Sequence, residues 1–330
     1  MHPIFALVVA RNKEFYRDRA ALVWSICFPL LLILGFSLAF ARPEPAVFQL
    51  GLVDEAAPAA LPEYVATVDY VDRERALARL RHHELDLLLD GGAGRLYYNA
   101  LSPASLALLD LLDGGDPLGL ETQAVTGEAV RYADWVIPGV VGMNLMFGAL
   151  FGVGFVIVRY RKNGVLRRLA ASPISPLVFL TSQMLSRFII VMAVNSAILI
   201  SCTLLLGLRM EGSWLSLLLT LGVGSLTMIC VGLVVASRIA SEELANGLLD
   251  TLSLLMMFFS ELWFSLDSAP RWMQWLSELL PLTHMVRALR AIMVEGAGLA
   301  DIWSSLAALG LFAVFSLALA ARLFRWEADG

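Results

Sequence analysis

Six stretches of the chain are apolar and long enough to cross a hydrocarbon layer, which takes about 20 residues of helix. They cover 20–41, 135–158, 177–208, 214–237, 244–266 and 303–324. The third is continuously apolar only from 187, so its helix is expected to protrude from the bilayer by about two turns. The fifth is interrupted by Glu261. Ahead of the first lies 1–19, where Ile4, Phe5, Leu7, Val8 and Val9 give way to mixed charges with Phe15 and Tyr16. That pattern predicts an amphipathic helix lying in the membrane interface. Segment 267–302 is too apolar for a hydrated loop and too polar to span, and Pro270 and Pro281 break it. Its length suits a short re-entrant helical hairpin in one leaflet, with Trp272 and Trp275 at the interface.

The one large polar segment is 42–134. VFQLGLVD (47–54) alternates as a half-buried strand does, and YVATVDYV (64–71) is a second extended stretch. In 72–84 the spacing is helical, with Ala76, Leu77 and Leu80 on one side. ELDLLLD, the turn GGAG (91–94) and RLYYNA (95–100) predict strand, turn and strand. Pro103 opens a short helix, and Gly114-Gly115-Asp116-Pro117 starts a linker back to the membrane. Together these elements predict a small α/β domain. The whole chain is then an α-helical polytopic membrane protein, with six transmembrane helices, an outer re-entrant hairpin and a small extracytoplasmic α/β domain.

Composition agrees with this class. The 330 residues are 58% hydrophobic and 16% charged, with a mean hydropathy of +0.74, more apolar surface than a soluble domain can hide. The first run ends Ala39-Phe40-Ala41, which imitates a signal-peptidase site. It is longer than the 7–15 residues of a signal peptide's apolar core, so it is expected to stay as a helix. The three cysteines, Cys27, Cys202 and Cys230, all lie in apolar runs and form no metal-ligand spacing.

Charge adds an orientation. Arg11, Lys13, Arg17, Arg19, Arg238, Arg325 and the five basic residues of RYRKNGVLRRLAASP (159–173) fall on one side, whereas the short loops opposite hold only Arg209, Arg271, Arg287 and Arg290. The positive-inside rule therefore predicts that both termini are cytoplasmic. The 42–134 segment is acidic, with 16 acids against 7 basic residues. Chemistry is sparse. There is no GxxxxGK[ST] loop for a nucleotide and no HExxH, and His82-His83-Glu84 sits on a charged helix. Glu242-Glu243 resembles the start of EExxxR, but Gly247 stands at the arginine position. Gly222-Val223-Gly224-Ser225 suits a small-residue helix contact better than a nucleophile. Catalysis by this chain is not expected. The mid-span Asn144 and Asn195 fit interhelical hydrogen bonding. A carrier driven by the membrane potential would need more polar groups at that depth.

Three stretches carry a family resemblance: PGVVGMNLMFGALFGVGFVIVRYRKNGVLRRLAASPISPLVFLTSQ (138–183), SEELANGLLDTLSL (241–254) and LLPLTHMVRALRAIMVEGAGL (279–299). In this order they resemble the permease subunits of ABC-2-type transporters, bacterial ABC exporters of the inner membrane. The resemblance implies a permease dimer, either a homodimer or a heterodimer with a paralogous permease. It also implies a separate ABC ATPase that holds ATP and Mg, with no cofactor in this chain and no nucleic-acid partner.

The resemblance further implies that the cytoplasmic loop 159–176 carries a coupling helix docked on the ATPase. Asn163 and Gly164 would end the preceding helix. Val165, Leu166 and Leu169 would supply apolar contact, Arg167 and Arg168 would meet acidic groups, and Pro173 would end the turn. It implies an outer gate formed by 267–302, with Pro281, Thr283, His284, Arg287 and Arg290, together with Glu261 of the fifth span, as gate or translocation residues. The family often has Ser-Gly where this chain has Ser260-Glu261, and is often acidic at Arg287. Glu261 is thus either a substrate or gate contact or a structural partner of Arg287 or Arg290. Few charges in the spans favour a hydrophobic or amphipathic substrate, drug-like or lipid. An ion exporter remains an alternative within the family, and a membrane signalling or scaffold protein with a ligand-binding outer domain is one outside it.

Overall fold

The computed structural model describes residues 3–39, 48–54, 62, 64–70, 72–113, 121–127, 132–170, 175–239, 241–263, 266, 269–323. They form two compact units. One comprises Ser37–Trp135 with Ser265–Arg271, and the other the three segments Met1–Phe36, Val136–Phe264 and Trp272–Gly330. The chain enters through α1 (Pro3–Arg17) and α2 (Arg19–Ala39). Asp18 links them, and its carboxylate accepts the backbone N–H of Ala21.

The smaller unit is built on a five-stranded sheet of order β2-β1-β3-β4-β5. The strands are β1 (Phe48–Val53), β2 (Val65–Tyr70), β3 (Leu87–Asp90), β4 (Arg95–Asn99) and β5 (Glu121–Val125). Helix α3 (Arg73–Arg81) follows β2, and α4 (Pro103–Asp113) follows β4. Strand β1 pairs in parallel with both β2 and β3, β3 and β4 form an antiparallel hairpin, and β4 and β5 are parallel. Side chains alternate across a strand, so each face of the sheet collects its own core. Leu50, Leu52, Leu87, Leu89 and Leu96 share one core with Leu108 and Leu112 of α4. Val53, Leu88 and Tyr97 share the other with Ala76, Leu77 and Leu80 of α3. All four residues of β3 are buried because both faces are covered. The four predicted strands and two predicted helices are present. Strand β5 is not predicted. Its ETQAV has no apolar alternation and lies mostly exposed at the sheet edge, and the linker expected from Gly114 resumes pairing at Glu121.

The larger unit is helical. Helix α5 (Tyr132–Leu150) passes through a π-helical turn (Phe151–Phe155) into α6 (Val156–Lys162), and a short α7 (Val165–Ala170) follows. Then come α8 (Pro176–Leu206), α9 (Trp214–Arg238), α10 (Glu242–Phe259), α11 (Arg271–Glu278), α12 (Pro281–Glu295) and α13 (Trp303–Leu323). Among the described residues five helices are long and apolar enough to cross a membrane: Arg19–Leu38, Asp134–Lys162, Val178–Leu206, Trp214–Arg238 and Trp303–Leu323. Outward-facing Trp24, Leu204, Leu311 and Phe315 are each more than half exposed, as lipid-facing positions are.

The fifth expected span, 244–266, is shorter in the structure. Helix α10 stops at Phe259 after 18 residues and carries Glu242, Glu243 and Asp250, so it is not among these five. At the heart of the unit α9 packs against α12 and α13, and the glycine run of α9 makes the contact close. A Cβ on Gly224 would stand 2.4 Å from the Met285 sulfur. Asn144 of α5 donates to Asn195 of α8 at 3.3 Å, the interhelical bond its mid-span position suggests.

Candidate functional site

Two polar clusters carry the residues singled out by sequence. The first surrounds the basic segment after α6. Asn163 leaves helical geometry, and its N–H bonds the Arg159 carbonyl at 3.0 Å. Gly164 adopts φ +67°, with open space where a side chain would be. Left-handed backbone is where glycine ends a helix without steric cost. Helix α7 then starts, with the Arg168 N–H on the Gly164 carbonyl at 3.2 Å. Val165 is half-buried and Arg168 exposed. Leu166 is wholly buried, which corrects its expected part in a contact with another protein. Its side chain anchors α7 to this chain instead. Pro173 and the side chains of Arg167 and Leu169 lie outside the described residues.

The basic side chains also make contacts within the chain, and that of Arg168 reaches back to the Asn163 carbonyl at 3.5 Å. Arg159 pairs with Glu14 of α1 at 3.2 Å, and Tyr160 donates to the same carboxylate at 2.9 Å. Burial works to raise the Glu14 pKa, yet hydrogen bonds and charge from Arg11, with Tyr160 and Arg159 adding to them, hold it below the ordinary carboxylate range. Arg161 donates to the carbonyls of Ala236 (2.9 Å), Ser237 (3.3 Å) and Ile239, capping the end of α9 where the helix dipole is negative. Lys162 stands 3.9 Å from Glu242 and 3.8 Å from Glu243, at the start of α10. The segment is therefore a junction that ties α1, α9 and α10 to the root of α7.

The second cluster forms where α10 ends. Ser260 leaves helical geometry, and Glu261 takes φ +55° while only 2% exposed. Arg287 donates to the Glu261 carboxylate at 2.8 Å and also binds Glu278. Arg290 donates to the Glu261 carbonyl at 2.7 Å and lies 3.8 Å from its carboxylate. The expected pairing of Glu261 with Arg287 or Arg290 is thus made with both. Pro281 opens α12 at its first turn, where a missing N–H costs nothing. Buried Thr283 lies between two hydroxyls, Ser277 at 3.2 Å and Ser260 at 3.1 Å. The His284 ring hydrogen-bonds the Glu278 carbonyl at 2.9 Å. Thr283, Arg287 and Arg290 thus contact the Ser260–Glu261 turn, whereas His284 contacts Glu278 and Pro281 only opens α12. Gly139 of α5 closes the turn, because a Cβ there would stand 2.6 Å from the Leu262 carbonyl oxygen.

Among the described residues no group of three or more His, Cys, Asp or Glu side chains could hold a metal ion. His83, after α3, hydrogen-bonds the Gly127 carbonyl at 2.8 Å. Sequence reading passes over Arg187 of α8, although a lone arginine in an apolar run is itself a signal.

Five membrane-length helices, an α/β insertion after the first of them and a basic junction define a polytopic membrane protein. The model of the ABC-2 type transporter family matches residues 2–294, and the chain belongs to that family. It is 28% identical over 188 residues to the linearmycin resistance permease protein LnrN of Bacillus subtilis (strain 168), an alignment covering 56% of this chain and 48% of that protein. The matched part is therefore about half the length of this relative.

Proposed function

We propose that this chain is the permease subunit of an ATP-driven exporter in a bacterial plasma (inner) membrane. It works as a dimer, with itself or with a paralogous permease, and has both termini in the cytoplasm. A separate ATPase binds ATP and Mg. Helix α10 makes a sixth crossing. At about 27 Å it nearly matches the hydrocarbon thickness, with Glu242 and Glu243 at the inner surface. The α/β unit and the α11–α12 pair then lie outside, the latter as a re-entrant gate around Glu261. Substrate is hydrophobic or amphipathic, drug-like or lipid. The few charges of the spans favour that over ion export, and similarity to a permease named for resistance supports outward movement.

The observation that carries this reading is the basic junction. Helix α7 is turned out at Gly164 and anchored inward by Leu166, with Arg168 exposed, while Arg159, Arg161 and Lys162 connect its root to three helices. A motor pressing on α7 would reach the core through those contacts. The chain purified in mild detergent is expected to bring a stoichiometric ATPase. Arg168→Glu removes that subunit or its coupling and leaves thermal stability unchanged, as an exposed substitution does. Leu166→Glu, by contrast, lowers stability by roughly 3 kcal/mol or more because it buries an unpaired charge. Full retention of the ATPase and of transport in Arg168→Glu would remove α7 as the docking element. A protein partner of the α/β unit in place of an ATPase would favour the signalling or scaffold alternative.

A further inference from the structure

Arg187 sits on α8, and its side chain crosses to the π-helical turn. Its Nε donates to the Gly148 carbonyl of α5. Gly152 makes the approach possible, since a Cβ there would stand 1.7 Å from Nε and 2.1 Å from Cζ. The notch thus has the shape of this guanidinium. A π-turn shifts the backbone ladder by one residue, and such turns gather at functional sites. On its other side the guanidinium lies over the Phe15 ring of α1, 5.7 Å from its centre. Beside it Ser186 donates to Asn12 at 2.5 Å and fixes α1 to α8. Three elements therefore converge on one cation.

That cation has no counter-ion among the described residues. Its terminal amino groups have no protein acceptor there, and the side chain is partly exposed. Glu14 is engaged by Arg11, Arg159 and Tyr160. Arg11 stands one helical turn before Phe15 on the same side of α1, next to the Asn12 that Ser186 holds, with its guanidinium on Glu14 and Tyr160. Depth matters as well. From Arg187 to Leu206, the end of α8, the rise is about 28 Å, close to the hydrocarbon thickness. The guanidinium is then near the boundary between headgroups and acyl chains, on the side where α1 lies. A planar fork with two free amino groups fits two oxygens of one phosphate.

We propose that Arg187, seated at Gly148 and Gly152 with Arg11 beside it, binds the phosphate headgroup of an anionic amphiphile in the leaflet next to α1. Phe15 forms one wall of the site. The inference goes beyond the coupling reading and does not depend on an ATPase.

Native mass spectrometry tests it, on the full chain equilibrated in detergent with equimolar phosphatidylglycerol and phosphatidylcholine. The wild type retains phosphatidylglycerol preferentially. Arg187→Gln reduces that retention about tenfold, the effect of losing a charge-assisted bond. Gly152→Ala, which keeps the charge but fills the notch, reduces it as well, whereas Arg17→Gln on the exposed end of α1 does not. Displacement by millimolar inorganic phosphate assigns the site to a free phosphate; resistance to it assigns the site to a lipid headgroup. Equal phosphatidylglycerol retention by wild type and Arg187→Gln overturns the proposal, and full retention in Gly152→Ala overturns the notch. If Arg187→Gln fails to fold, Gly152→Ala together with Arg11→Gln decides.

Discussion

Glu261 carries two unfavourable features at once. A left-handed conformation costs a non-glycine residue about 1–2 kcal/mol, and a buried carboxylate costs several more unless it is paired. Arg287 and Arg290 meet the second cost, and the bond from Arg290 to the Glu261 carbonyl fixes the first in place. Glu261→Gln is therefore expected to lower stability by roughly 3 kcal/mol, because it leaves two arginines facing a neutral amide. Glu261→Gly relieves the backbone but loses the same charge, so it should recover only about 1 kcal/mol of that loss. Thermal melting of both variants in one detergent separates the terms, and a glycine variant as stable as wild type would show that the pairing is dispensable. Sequence makes the ionic partners legible, since an acid in an apolar run needs a cation. It does not make the helix stop legible. Ser260-Glu261 contains neither Gly nor Pro, and the stop depends on α12 and on the approach of Gly139 to Leu262, contacts with residues distant in the chain.

At the scale of elements, local pattern and tertiary context divide differently in the two units. Strands β1 to β4 follow from apolar alternation and a glycine turn. Strand β5 shows no such alternation, and its place is held from outside the strand by Asn99. That side chain is fully buried and donates to the carbonyls of Leu80 (3.1 Å), Arg81 (3.0 Å) and Gly127 (3.1 Å). It thereby joins the end of α3 to the residues just after β5. Asn99→Ala leaves three carbonyls without that donor and is expected to cost about 2 kcal/mol. The signature is faster amide exchange in β4 and β5 of the full chain, with α9 and α13 unchanged; unchanged exchange in β5 would show that strand pairing alone holds it. Helix α7 is the mirror case. Its start is readable from Asn163 and Gly164, ahead of the amphipathic VLRRLA. Which apolar side chain faces inward is not, because six residues make less than two turns and the packing partner decides the face.

For the whole molecule the open count is the number of crossings. Apolarity alone favours five, because three acids weaken the signal of α10. A sixth restores the even number that positive-inside charge requires. The two counts differ in one outcome. With α10 crossing and α11–α12 returning to its own surface, reporters fused to the two ends of the chain fall on the same side. With five crossings they fall on opposite sides. Same-side reporters, both cytoplasmic, are the expected result. The basic junction has a further consequence for such an assembly. Arg161 holds the carbonyl end of α9, Arg159 holds α1 and Lys162 faces α10, all within one turn of helix. A joint bound on three sides has no slack. Any displacement that reaches it must move those helices as a body or break a charged contact, so the segment acts as a rivet between parts of the frame and never as a hinge.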